Sequence, residues 1–270
     1  SRSSAASDVY KRQGFFKTPP GMTEDEFFIS AISNEPEFRG QTLILPAISI
    51  GSVPQLALDL LIHAPTLACR RVGYLDGSQC VPFISPPEPS LPAHEVFTAL
   101  DVYESSKGLT LVQQRSPVIK ASRALFTRRL MHWIQEAGFS DVLIISSMDA
   151  AMRVDTEFST PILYKRPSEA QITHLSSAIS QLYPPFQPPA YNGPGIPPMP
   201  GSGITRMYLE HAPKCTTALI MFCSEGDNRE DAHELVRHIS AICHLGLQRC
   251  TEPPSWTFMY GSAPADLLYG

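Results

Sequence analysis

Two short polar segments of this sequence carry side chains that could do chemistry. The first, Ser224–Asn228 (SEGDN), follows an apolar run typical of a buried strand and precedes a helical pattern. Because ligands of open α/β sheets bind beyond the carboxyl ends of strands, Glu225 and Asp227 are candidates for an acid/base pair or for metal ligands. In a second, structural interpretation Gly226 turns the chain and Asp227 or Asn228 caps the helix. The structural interpretation is favoured, because one cap explains every residue of the segment.

The second candidate is the pair Ser146 and Ser147, which follows the apolar run Asp141–Ile145. A serine nucleophile is conceivable there, but the G-x-S-x-G elbow is absent, and a serine at a strand end usually satisfies backbone groups. One alternative stays open, a phosphorylase- or hydrolase-like enzyme in which both serines join Glu225 and Asp227 around one pocket. That enzyme requires the four side chains to converge on an open cleft.

Metal and phosphate chemistry find little support in the sequence. The six cysteines form no C-x-x-C pair, and the eight histidines are scattered, so no zinc-ligand spacing is present. Pro200–Thr205 (PGSGIT) is glycine-rich and precedes a helix, but no lysine follows at the spacing of a phosphate-binding loop. The sequence therefore predicts no metal site, no cofactor and no catalytic residue.

Composition restricts the partners and the compartment. The net charge is −5 without a dense basic run, which argues against nucleic acid as the main partner. No apolar run reaches the ~18 residues of a membrane span. Although Cys243 and Cys250 could form a disulfide, cysteines inside apolar runs favour reduced thiols. We therefore expect a cytoplasmic and nuclear protein without a membrane partner.

The hydrophobic pattern alternates between strands and helices. Each strand is a short apolar or alternating run, and each helix has apolar residues at a spacing of three and four; on the second helix Leu125 is assigned to the buried face. The predicted strands are Thr42–Ile50, Arg71–Leu75, Val96–Tyr103, Leu109–Gln113, Asp141–Ile145, Thr217–Cys223 and Trp256–Tyr260. The predicted helices are one from Val53 that ends near His63–Pro65, and Ala121–Ala137, Ser168–Leu182, Ile204–His211 and Asn228–His244. This order predicts a three-layer α/β sandwich with a mixed central sheet.

The ends of the chain and one internal segment stand apart from this pattern. Residues 1–14 have no hydrophobic pattern, and residues 1–21 are predicted to be a non-native or disordered leader, with a single domain over 22–270. Residues 184–200 contain eight prolines and two glycines, which predicts a loop or mobile linker inside the domain. Residues 264–270 are predicted to be a docking tail. Its last residues, Leu268, Tyr269 and Gly270, offer an apolar side chain, a phenol and a carboxylate to a pocket of a partner.

Several blocks of the sequence together resemble one known family, the proteasome assembly chaperone 2 family. LILPAISIGSVPQLALDLLI and SEGDN carry most of the resemblance, and the other blocks support it. The matching blocks are Leu43–Ile62, Val72–Ile84, Gln113–Lys120, Ser159–Tyr164, Pro200–Thr205, Ser224–Asn228 and Pro254–Ser262.

The resemblance implies a chaperone without enzymatic activity. Family members pair with proteasome assembly chaperone 1, and the heterodimer binds the α-subunit ring of the nascent proteasome core, promotes its correct assembly and prevents α-ring dimerisation. The implied fold is an α/β sandwich distantly like nucleoside phosphorylases, without their active site. Leu268, Tyr269 and Gly270 match the hydrophobic-Tyr-any tail with which such proteins enter pockets between α subunits, and SEGDN is implied to be a structural motif of the family.

Overall fold

The structure is a computed structural model that describes residues 26–86, 96–153, 160–188 and 191–259. The predicted leader (1–21) and docking tail (264–270) therefore lie outside the described residues.

Within the described ranges, strands and helices alternate along most of the chain. The strands are β1 Phe28–Ser30, β2 Thr42–Pro46, β3 Arg70–Leu75, β4 Ile84–Ser85, β5 Phe97–Thr98, β6 Leu100–Glu104, β7 Leu109–Gln114, β8 Asp141–Asp149, β9 Ile162–Lys165 and β10 Thr216–Cys223. The α-helices are α1 Val53–Ile62, α2 Arg123–Ala137, α3 His174–Leu182, α4 Thr205–His211 and α5 Arg229–Ile242.

Eight strands form one mixed sheet in the order β1-β3-β6-β7-β2-β8-β10-β9, and β4 pairs with β5 outside it. The central strands β7, β2, β8 and β10 are mutually parallel, and the outer pairs are antiparallel. The predicted mixed sheet is confirmed.

Helices cover both faces of this sheet. The core side chains of α1, α3 and α5 belong to the apolar cluster on one face, and those of α2 and α4 belong to the cluster on the other. Strands covered on both faces are apolar at consecutive positions, and all eight residues of β10 are accordingly buried. No helix in these ranges is long and apolar enough to cross a membrane.

Helix α2 has a different buried face from the predicted one. Leu125 is 44% exposed, whereas the adjacent Phe126 is fully buried. The inward stripe runs through Phe126, Leu130 and Ile134, and Leu125 lies too far round the helix to join it. The predicted C-cap is confirmed, because Gly138 has a φ of +71°.

Other predicted elements differ from the structure. The strand predicted at Thr42–Ile50 ends at Pro46, and the strand predicted at Val96–Tyr103 divides into β5 and β6. The helix predicted from Ser168 begins at His174, because Thr173 and Ser176 form a reciprocal capping box that satisfies the free backbone N–H groups. The strand predicted at Trp256–Tyr260 is a 3₁₀ turn over Pro254–Phe258. Proline favours the first position of a helical turn, and the turn buries Trp256 in the core.

The proline-rich segment covers the outer edge of β9. Tyr164 N donates to Pro184 O (3.1 Å), and Phe186 N donates to Tyr164 O (2.7 Å). Phe186, Ile196 and Met199 are buried. The described part of 184–200 is therefore irregular, as predicted, but it is packed on the sheet instead of forming a mobile linker, and it protects an edge that would otherwise expose unpaired backbone groups.

We expect Phe126→Ala to lower the free energy of unfolding by about 3–5 kcal/mol, because it leaves a cavity in the core. Leu125→Ala is the matched control on the adjacent residue, and we expect it to change stability by less than about 0.5 kcal/mol. Urea unfolding of both full-length variants measures the difference. Equal losses would contradict the assignment of the buried face.

Candidate functional site

The carboxyl ends of β2 and β8 are closed by the loop that follows β2. Ser147 donates through Oγ to the Ile50 carbonyl oxygen (2.5 Å), and its backbone N donates to Ser49 Oγ (3.0 Å). The thiol of Cys223, at the end of β10, donates to the same Ile50 oxygen (3.2 Å). The loop therefore occupies the place where a ligand binds in open α/β folds.

A second loop closes the same end of the sheet. Gly201 O accepts from Ile50 N (2.8 Å), which joins the two loops. Gly203 has a φ of +62°, and a Cβ on it would lie 1.8 Å from Ile48 O. Only glycine fits such a close approach of two backbones. The glycine-rich segment 200–205 thus packs against the chain itself instead of cradling a phosphate.

Ser146 points to the opposite face of β8 from Ser147. Its Oγ lies 2.6 Å from Thr205 Oγ1, and the Thr205 hydroxyl donates to Ser202 O (2.7 Å). Ser146 is therefore the donor in that pair. Both serines are fully buried, and the hydroxyl hydrogen bonds described here join them to other hydroxyl groups and to backbone oxygens. Among the described residues, neither has the adjacent general base that activates a serine nucleophile.

The SEGDN segment forms a turn and the start of α5. Asn228 is buried at the N-cap position, and its side-chain amide donates to Ser224 O and Gly226 O (both 3.0 Å). Asp227 accepts from Arg229 N (3.2 Å) and from the Arg229 guanidinium (2.6–3.1 Å). The hydrogen bonds from Arg229 lower the pKa of Asp227. Asp227 is thus held as an ionised structural carboxylate.

The candidate catalytic side chains do not meet at one place. The serines are buried on opposite faces of β8, whereas Ser224–Asp227 are exposed. In the described part of the chain, no group of three or more His, Cys, Asp and Glu residues could hold a metal ion. The convergence that the enzyme alternative requires is absent from these residues.

The six thiols are unsuited to nucleophilic chemistry. All six cysteines are free, and burial raises the pKa of each thiol. The pKa reaches about 12 at Cys80 and Cys243. Because the thiolate is the reactive form, these residues behave as small apolar groups.

An exposed apolar surface lies at the same end of the sheet, beyond β3 and β7. Ten large apolar side chains are exposed in the described ranges. Six of them lie in three neighbouring segments, which are residues 81–84, residue 96 and residues 119–125. Backbone hydrogen bonds join Val81 N to Pro117 O and Ile119 N to Gln79 O (both 2.9 Å). We call this surface the apolar patch; its members are Val81, Phe83, Ile84, Val96, Ile119 and Leu125.

A buried charged cluster anchors the β4–β5 part of this patch. Asp101, which is fully buried, accepts from Thr98 N (3.1 Å) and from Thr98 Oγ1 (2.9 Å). Arg115 binds Asp59 of α1 (3.1 Å), lies 3.8 Å from Asp101 and stacks over the Phe97 ring. Burial raises the pKa of Asp101, and the Thr98 hydrogen bonds and the nearby Arg115 charge oppose this effect. The cluster fixes β5 to the sheet.

Neither the patch nor the cluster was identified from the sequence. Asp59, Asp101 and Arg115 are far apart in the chain, and each looks like an ordinary surface charge. The patch had a weak signal: the apolar residues Val81–Ile84 precede prolines and follow no helical or strand period. An apolar run without a period is a candidate for an exposed surface.

We expect Gly203→Ala to destabilise the fold by about 1–3 kcal/mol more than Gly246→Ala, because only the first forces two backbones apart. Gly246 is a matched control, with a φ of +72° and nothing within 4 Å of a new Cβ. Thermal unfolding of the two variants gives the comparison. Equal destabilisation would show that the strand end is not tightly closed.

Comparison with known proteins places these features in a family. Residues 43–242 match the model of the PAC2 family. The proteasome assembly chaperone 2 of Nematostella vectensis is 33% identical over 226 residues, which cover 77% of this chain and 91% of the relative. That of Danio rerio is 31% identical, with 90% of this chain and 100% of the relative covered.

Solved structures show the same fold at low identity. PbaA of Pyrococcus furiosus, described as an archaeal homolog of proteasome-assembly chaperone, aligns with a TM-score of 0.55 and 15% identity over 78% of this chain and 85% of PbaA. PbaB of the same organism, described as an archaeal proteasome activator, aligns with a TM-score of 0.54 and 14% identity over 82% of this chain and 91% of PbaB. These matches agree with the resemblance carried by the sequence blocks. The chain therefore belongs to the PAC2 family, that of proteasome assembly chaperone 2.

Proposed function

We propose that this chain acts in proteasome assembly by binding other polypeptides, without turnover of a substrate. In this proposal it forms a heterodimer with proteasome assembly chaperone 1, and the heterodimer binds the α-subunit ring of the nascent core. There it promotes correct ring assembly and prevents α-ring dimerisation. Its family membership supports the assembly role.

The observation that carries the non-catalytic mechanism is the closed end of the sheet. Ser147, one of the two serines considered as a nucleophile, is buried and bonded to Ser49 and Ile50. A substrate would have to displace both closing loops to reach it. In contrast, the same end of the sheet exposes a large apolar surface, which is typical of protein interaction sites.

The docking tail is a further part of the proposal. Leu268, Tyr269 and Gly270 lie outside the described residues, and their support is the sequence pattern alone. An apolar side chain and a phenol would supply buried area and a hydrogen bond to a pocket of the partner. Modest affinity from each contact suits a chaperone that must leave, and a second tail on the partner adds avidity.

We also propose a cytoplasmic and nuclear location, which fits the six free thiols of the chain. Imaging of a fluorescent fusion in cells tests the location independently of the assembly role.

The non-catalytic mechanism predicts that the purified chain turns over neither nucleosides nor esters. Ser147→Ala and Glu225→Gln should leave any background rate unchanged, because neither side chain faces an open cleft. Product formation followed by chromatography measures the rate. A rate that either substitution abolishes would establish the enzyme alternative.

The tail proposal predicts that deletion of residues 268–270 weakens binding to the α ring by about tenfold, the usual effect of removing an interface anchor. Quantitative pull-down of α-ring intermediates at physiological salt gives the measurement. The thermal midpoint of the truncated chain should match that of the full chain. Tyr269→Phe is the milder control, which removes only the phenol hydrogen bond. Unchanged binding after deletion would rule out the tail as an anchor.

A further inference from the structure

We infer that the apolar patch is the surface on which a different protein chain docks, one with a complementary apolar face bordered by carboxylates. This inference rests on the proposed function and assigns the patch to the companion chaperone of the heterodimer, in preference to the α ring or to a second copy of this chain.

The first argument is the continuity of the patch. The β4–β5 ladder places Ile84 opposite Thr98 and Ser85 opposite Phe97, so that the two β segments form one surface with Val96. Arg129 of α2 binds Asp76 and Gln79, which ties α2 to the segment before Val81.

Leu125 completes this surface from the side of α2. It lies one helical turn before Arg129, on the same side of α2. Its exposed side chain therefore extends the patch from the loop segments onto the helix.

The second argument is the exposed area. Ile84 is 74% exposed, and the other five members are between 37% and 45% exposed. Together the six side chains expose on the order of 500 Å², near the upper end of the roughly 300–600 Å² found for the largest patch of a monomer. Each partner in a standard stable interface contributes about 800 Å². The patch therefore supplies the apolar centre of an interface of ordinary size, and long-lived interfaces are the more apolar ones.

The third argument is the charge at the α2 border of the patch. Lys120 precedes α2, and Arg123 and Arg128 lie in its first two turns. Lys120 and Arg128 are exposed. Among the described residues none of the three forms an ion pair, whereas Arg129 on the same helix does. A chain with a net charge of −5 thus presents a local cationic border, which an acidic border complements.

The same charges disfavour a second copy of this chain. A twofold interface places the same surface on both sides, so that both sides would carry the cationic border. Asp76, the carboxylate that lies against α2, is already paired with Arg129. The fitting occupant is a different polypeptide.

Two isoleucines allow a matched test of the docking surface. Ile84 in the patch is 74% exposed, and Ile172 is 80% exposed. Ile172 lies beside Lys214 and the start of β10, at the opposite end of the sheet. Because both side chains are largely in solvent, replacement by aspartate leaves the core intact in either case.

We expect Ile84→Asp to weaken binding of the full-length chain to purified proteasome assembly chaperone 1 by at least about tenfold, because it buries a charge in an apolar interface. Ile172→Asp should stay within about twofold of the wild type. Lys120→Glu with Arg128→Glu should slow association and reduce its dependence on salt, because border charges act mainly on the association rate. Biolayer interferometry at two salt concentrations measures all three, and circular dichroism verifies folding.

Each result has a distinct meaning. Equal binding by both isoleucine variants would overturn the inference while the heterodimer itself stands. Failure of the wild-type chain to bind the companion would instead refute the proposed heterodimer. If Ile84→Asp lost α-ring subunits in a pull-down but still bound the companion, the patch would belong to the ring and the inference would be overturned. Light scattering that shows a homodimer dissociated by Ile84→Asp would assign it to a second copy, with the same consequence.

Discussion

The structure depends on the close approach of two loops over the carboxyl ends of its central strands. The Ile50 carbonyl oxygen accepts hydrogen bonds from Ser147 and Cys223, which belong to neighbouring strands. Gly203 lets the second loop reach the backbone at Ile48. These contacts satisfy buried polar groups that would otherwise destabilise the fold. They also fill the crevice that most α/β enzymes keep open for a ligand, so that Ser147 has no open cleft beside it.

A second constraint shapes the surface that remains available. The strands β3 and β6 lie towards the edge of the sheet, away from the parallel centre, and there β5 is held by Asp101, Arg115 and Asp59. Breaking such a buried ionic cluster leaves an uncompensated charge and costs several kcal/mol, so that the cluster opposes displacement of β5 from the sheet. A surface segment that is already held in place loses less conformational entropy on binding, which suits the proposed binding mechanism.

The family likeness and the geometry support each other at different levels. The fold is shared with archaeal proteins at 14–15% identity, and fold alone does not determine function. The curated relatives at 31–33% identity fix the family, and the closed strand ends are the physical basis of the proposed binding mechanism.

The sequence by itself determined the class of fold, because strand and helix periods are local properties of a few consecutive residues. The buried runs of β8 and β10, the C-cap at Gly138 and the helix after SEGDN could all be predicted in this way. Only the tertiary structure decided the role of Ser147, since its partner Ser49 is 98 residues away, and no local pattern encodes that pairing. The inward turn of Phe126 in place of Leu125 and the burial of Asp101 were settled by packing between elements. Exposure of the apolar patch was likewise decided in three dimensions, because burial of a side chain depends on what the rest of the chain places over it.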